Sequence, residues 1–192
     1  MLLSNPITIL ILSALFGVTV KIADLLDEHG LKLFRGAPIL FGFLWGIIGS
    51  LMFLSNQLVA MFILAILIHW VLRYRIDYLN HGIAAVIILM VFLYNLPNLT
   101  MNWTVFLIIF IPYSILGLLN DAVDRGEIKG IIAKLIRSNS HYIIFPLILI
   151  FINANYWIIL GVSLLHLLFY ELTTGWGMKI IKRQKQQLTD IQ

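Results

Sequence analysis

Cysteine is absent from all 192 residues, so disulfides, thiolate catalysis and thiolate metal ligands are excluded and the redox compartment stays open. Charge is scarce too, with Asp, Glu, Lys and Arg at 11% against 61% hydrophobic residues and a mean hydropathy of +0.99. A soluble domain of this size needs a charged surface all round, so the chain reads as a polytopic membrane protein with membrane lipids as neighbours and no nucleic-acid partner. The charges also cluster, falling in four windows at 21–35, 73–77, 121–137 and 171–190. The start, Met1-Leu-Leu-Ser-Asn-Pro6, has no basic stretch ahead of its apolar run, which therefore reads as a retained span.

A helix rises ~1.5 Å per residue and the hydrocarbon core is ~30 Å thick, so each crossing needs about 20 mostly apolar residues. Seven runs qualify, at about 6–23, 37–54, 57–73, 80–95, 103–120, 136–152 and 156–172. Strands are excluded, because the runs lack polar and apolar alternation and open sheet edges cannot sit in lipid. Counting crossings puts all four charged windows on one side, while the opposite loops, around Asn56, at 95–102 and around Asn153, carry no charge. By the positive-inside rule that side is the cytoplasm, with the amino terminus outside and the carboxyl terminus inside. The expected setting is the plasma membrane of a prokaryote.

What polar residues there are recur. At a shift of 97 residues Asn5 meets Asn102, Asp24 meets Asp121, Asp27 meets Asp124, Lys32 meets Lys129, Asn56 meets Asn153 and His69 meets His166. Apolar identities would come cheaply in such a chain, but six ungapped polar matches argue for an internal duplication. The expected fold is all-α, a single transmembrane domain forming a seven-helix bundle. Two parallel three-helix repeats, at about 1–79 and 98–192, would be joined by a linker helix at about 80–97. An odd linker keeps the copies parallel, so both acidic pairs should reach the same membrane level.

Asp24 and Asp27, like Asp121 and Asp124, stand three apart and share a helix face. Such a pair can hold one divalent cation, and magnesium favours one or two carboxylates completed by phosphate oxygens and water. Two facing pairs would grip a diphosphate between metal ions, with Lys32, Arg35, Arg73, Arg75, Lys129 and Arg137 as the cations at hand. The plainer alternative is that these charges cap helix ends at headgroup level. His69 and His166 are duplicated ionisable groups inside spans, either packed through a hydrogen bond or lining a cavity.

Asn120-Asp121-Ala-Val-Asp124-Arg125 resembles the Asn-Asp-x-x-Asp motif of the UbiA superfamily of intramembrane prenyltransferases, and Asp24-Leu-Leu-Asp27 with Arg35-Gly-Ala-Pro38 resembles that family's first motif and its downstream segment. Arg73-Tyr74-Arg75 is similar to the family's basic loop at the diphosphate. The chain would be a divergent, minimal relative, since Ala23 stands in the first motif's Asn position and the third acid is replaced by Leu31 and Ile128. The resemblance implies a Mg-dependent intramembrane transferase acting on a polyprenyl diphosphate, in lipid or isoprenoid biosynthesis. It implies magnesium on Asp24, Asp27, Asp121 and Asp124, and diphosphate on Asn120 and the cations named above. Trp45, Tyr74 and Phe43 would face the allylic cation. Two alternatives stay open. A three-plus-one-plus-three order with the amino terminus outside is also the topology of SWEET sugar carriers, and acidic loops would equally serve a non-catalytic membrane subunit that docks a cytoplasmic partner.

Overall fold

The computed structural model describes residues 3–100, 102–137 and 141–189, and these form eight α-helices and no strand. They are α1 (Pro6–Asp27), α2 (Ala37–Ser55), α3 (Gln57–Leu72), α4 (Leu79–Asn95), α5 (Trp103–Asp124), α6 (Gly130–Arg137), α7 (His141–Ile152) and α8 (Trp157–Thr189). Five stretches are long and apolar enough to cross a membrane, Pro6–Asp27, Ala37–Ser55, Leu79–Asn98, Trp103–Asp124 and Ala154–Gln187; Gln57–Leu72 and Tyr142–Ile152 are shorter apolar helices. Their outer faces carry apolar stripes at helical spacing, such as Ile7, Ile11 and Leu15 on α1 and Leu107, Ile111, Ile115 and Leu118 on α5. An all-helical chain with such faces has the make-up of an integral membrane protein in contact with lipid.

The expected count of seven helices is corrected to eight. The sixth run was placed at about 136–152, but the segment before it folds as the separate helix α6. Its Ala133 and Ile136 pack on Val123 while Ile131, Ile132 and Leu135 stay exposed. Lys134 and the neighbouring charges made this segment look like a loop, although its apolar residues keep helical spacing. The last helix also runs well past the expected end near 172. Ile181 packs on Leu25 and Leu31, and Gln184 exchanges two hydrogen bonds with the Lys32 backbone, at 3.3 and 2.7 Å, so the extension is fastened to the loop after α1.

Each duplicated asparagine begins a helix. Asn5, Asn56 and Asn102 accept from backbone N–H groups of α1, α3 and α5, and Asn153 does so for the short turn leading into α8. Gly36, at φ 88°, makes the left-handed turn into α2. α3 is apolar all round and buried from Val59 to Leu67, which places it at the centre. α1 packs along α8, α3 along α5, and α4 lies against α2. The last contact depends on Gly42, Gly46 and Gly49, where an added Cβ would come within 3.0 Å of Asn80, Ile87 and Ile88 respectively. The Gly42-x-x-x-Gly46 pattern thus marks a close helix crossing.

Candidate functional site

The site begins where α4 starts against the end of α1. Asn80, fully buried, donates to the Ala23 carbonyl at 2.9 Å and accepts from the His81 N–H at 2.6 Å, locking the first turn of α4 onto the last turns of α1. Asn80→Ala should therefore lower stability by about 1–3 kcal/mol, the cost of stranding buried backbone groups. A melting midpoint in detergent unchanged from wild type would contradict this. The lock brings His81 Nε2 to 3.2 Å from Asp24 Oδ1, while Nδ1 faces the Arg75 carbonyl at 3.2 Å and Asp77 Oδ1 at 3.4 Å. Tyr170 of α8 donates to Asp24 Oδ2 at 2.9 Å, and Lys21 lies 3.8 Å from that oxygen and 4.6 Å over the Tyr170 ring. Glu28, one turn beyond Asp24, joins Asp24 and His81 so that one ligand atom from each lies within 4.8 Å of the others. Burial, then the Asp24 charge, pushes the Glu28 carboxyl above its ordinary range.

The end of α5 is organised differently. Arg73, just past α3, grips Asp121 with both arms of its fork, Nε at 2.7 Å and Nη2 at 2.5 Å, and its Nη1 lies 2.7 Å from His69 Nε2. Arg75 also binds Asp121 and reaches Asp124 at 3.2 Å. The Asp121 carboxylate beside it holds Arg75 above the ordinary guanidinium range. Gly117 makes room for this clasp, since a Cβ there would stand 2.0 Å from His69 and 2.5 Å from Arg73.

Both ends open into one cavity of about 250 Å³. Asp24, Asn120, Asp124, Arg73, Arg75, Trp45 and His166 line it, so the structure brings together seven of the residues expected at the site. Asp121 stands behind the two arginines, and His69, buried, backs Arg73. Asp27 is absent from the wall. Lys32 is engaged through its backbone, Arg35 and Tyr74 are exposed, and Lys129 lines a separate groove beside α6 with Lys134. The side chain of Arg137 lies outside the described residues. Glu28, Asp77, His81, Trp70, Tyr142 and Tyr170 line the cavity without having been singled out from the sequence. Tyr170 carried a signal, because it is the 97-residue counterpart of Arg73.

Part of the wall is aromatic, with Trp45 in T-shaped contact with Trp70 at 5.5 Å and with His81 at 5.3 Å. Trp45 is 4% exposed, and its indole N–H has no hydrogen-bond partner among the described residues. A buried donor left over in a cavity wall calls for an acceptor from a ligand or water. Guanidinium groups take both Asp121 oxygens, and Asp27 is not among the residues that line the cavity. Asp24 with Glu28 is the carboxylate pair that the α1 end does present. Comparison with family models, curated proteins and solved structures gives no match for this chain.

Proposed function

We propose that the chain is an intramembrane transferase acting on a lipid with a diphosphate head and a long apolar tail, such as a polyprenyl diphosphate. One observation carries this reading: a carboxylate and imidazole group and a guanidinium pair share one cavity whose wall also carries Val20, Leu167, Trp45, Trp70 and Tyr142. Such a wall suits a tail, and the charged rim suits a phosphate head with its counter-ion. Arg75, 44% exposed on its side chain although joined to both Asp121 and Asp124, is the more accessible cation for a phosphate oxygen, whereas Arg73, 9% exposed, is fixed by its fork on Asp121. In the proposed reaction the bond from the allylic carbon to the diphosphate oxygen breaks, the electron pair leaves with the diphosphate, and an acceptor nucleophile takes its place on carbon and loses a proton. A divalent ion, where one binds, would neutralise the leaving group. The protein's own part is to hold the head at Arg75, exclude water, and set the faces of Trp45 and Trp70 beside the developing cation.

The duplication belongs to the same proposal. The first helix of each half packs on the last helix of the other, and Asp24 on Tyr170 has its 97-residue image in Asp121 on Arg73. This pairing supports seven membrane-crossing helices in two parallel repeats around a linker, with α6 at the membrane surface. In that arrangement the cavity end is cytoplasmic and the amino terminus outside. A carrier with paired three-helix halves would share this pairing.

Binding of geranylgeranyl diphosphate to the detergent-solubilised protein, set against geranylgeraniol, tests the reading. Wild type should prefer the diphosphate by at least about tenfold, equivalent to one charge-assisted hydrogen bond of ~1.5 kcal/mol or more, and Arg75→Gln should remove most of that preference. Equal affinity for the two ligands would favour a carrier or a partner-docking subunit instead.

A further inference from the structure

The His81 ring poses a problem of proton count. Its Nδ1 faces only acceptors, the Arg75 carbonyl at 3.2 Å and Asp77 Oδ1 at 3.4 Å, and its Nε2 faces Asp24 Oδ1 at 3.2 Å. A neutral imidazole has a single proton to share between its two nitrogens. Placing it on Nε2 satisfies Asp24 but sets the Nδ1 lone pair against two oxygens, and placing it on Nδ1, toward the backbone carbonyl, sets the Nε2 lone pair against a carboxylate oxygen, so either way a positive charge at the open nitrogen relieves the contact. A protonated ring is one solution, and a metal ion is the other. Glu28 brings a second carboxylate to the same point, so one atom from each of Asp24, Glu28 and His81 falls within 4.8 Å of the others. His81 and Asp24 are 7% and 14% exposed on their side chains, a setting with little water to separate them.

We propose that Asp24, Glu28 and His81 bind a divalent transition-metal ion in the wall of the cavity, with Nδ1–H fixed by the Arg75 carbonyl. Two carboxylates and one imidazole form the mixed oxygen and nitrogen set that suits manganese, iron, cobalt or zinc better than magnesium, which prefers oxygen alone. The Nδ1–H to backbone carbonyl contact is the outer-sphere bond that metal-bound histidines make to fix their tautomer. Lys21 stays on the far oxygen, Asp24 Oδ2, with Tyr170, and so leaves Oδ1 to the ion. The unpartnered Trp45 indole N–H, edge-on to His81 in the same wall, provides a donor for a further acceptor such as a water on the ion or a substrate oxygen. The inference rests on the cavity being a functional site but not on the identity of its lipid.

Titrating Co²⁺ alone into the purified full-length protein in detergent tests the site, read by visible d–d absorption and with no diphosphate present. One ion per chain is expected, and Glu28→Gln and His81→Gln should each weaken binding by more than about tenfold, the size of effect that even outer partners of a metal produce. Asp27→Asn should bind like wild type. Glu28 caps the end of α1 and its replacement by Gln keeps the shape, so an unchanged circular dichroism spectrum separates lost binding from lost folding. No cobalt spectrum in wild type, or an unchanged one in folded Glu28→Gln, overturns the proposal in favour of a protonated His81. Because the prenyl ligand is absent, this result and the geranylgeranyl diphosphate result can fail independently.

Discussion

Asp121→Asn should lower the melting midpoint of the detergent-solubilised protein by on the order of 10 °C, the largest loss expected from any single polar change in this chain. The substitution keeps the shape and removes the charge. It leaves Arg73, whose side chain is 9% exposed, and the half-exposed Arg75 facing a neutral amide. Removing one partner of a buried ion pair costs about 3–5 kcal/mol, because the remaining charge stays desolvated. Arg75 can turn outward and rehydrate, but Arg73 is wedged between Asp121 and His69 beside Gly117 and has no such route. Adding Arg73→Met to Asp121→Asn should recover part of the loss, since the stranded charge goes too. Additive destabilisation in the double variant, or a single variant that melts with wild type, would show that the clasp does not hold α3 to α5.

Gly17→Ala should be nearly as damaging for a different reason. An added Cβ would stand 2.3 Å from the His166 carbonyl oxygen and 3.1 to 3.2 Å from the His166 C and Cα, all of them backbone atoms of α8. A side chain can swing aside; a helix backbone cannot, so α1 and α8 must part along the most extensive contact in the bundle. Overpacking of this kind costs about 1–3 kcal/mol and at times more. The Ser13 hydroxyl, which donates to the Val162 carbonyl at 2.5 Å one turn away, would lose its partner as well. Gly175→Ala is the control, because nothing lies within 4 Å of its added Cβ, and helix propensity alone should make it neutral or stabilising by up to about 1 kcal/mol. Thermal scans of the two variants side by side decide it, and equal midpoints would mean that the α1 and α8 backbones are not in close contact at Gly17.

The sequence was most legible where physics leaves few choices. Scarce charge forced apolar helices, while the asparagines at the 97-residue spacing, read as marks of a duplication, prove to start helices at Asn5, Asn56 and Asn102. Asp24 and Asp124, one from each acidic pair, line one cavity. Which face of a helix end turns inward was not legible. Asp27 and Glu28 stand three and four residues from Asp24, positions that spacing alone treats alike, and only the packing of α8 and α4 around α1 selects Glu28. His81 drew no site reading from the sequence, because nothing local announces that its neighbour Asn80 is pinned to Ala23, a contact 57 residues apart. Arg73 and Arg75 were read as open phosphate ligands, yet partners far along the chain had already engaged them. α6 was hidden because it is only eight residues long and Lys134 breaks its apolar run along the sequence, though not its apolar face.

The length of α8 has a mechanical meaning. At ~1.5 Å per residue its 33 residues make a rod about 50 Å long, and a bilayer's apolar core is only ~30 Å deep, so a rigid arm projects beyond the lipid. The arm is basic, with Lys179, Lys182, Arg183 and Lys185, and it shares one unbroken backbone with Tyr170, the residue that holds Asp24. Gln184 ties the same arm to the loop that follows Glu28. A push on the arm, whether from a docking protein or from the local density of acidic headgroups, would travel along one helix to Tyr170 and through the Gln184 tie to the loop after Glu28, reaching the carboxylates of the cavity by two routes.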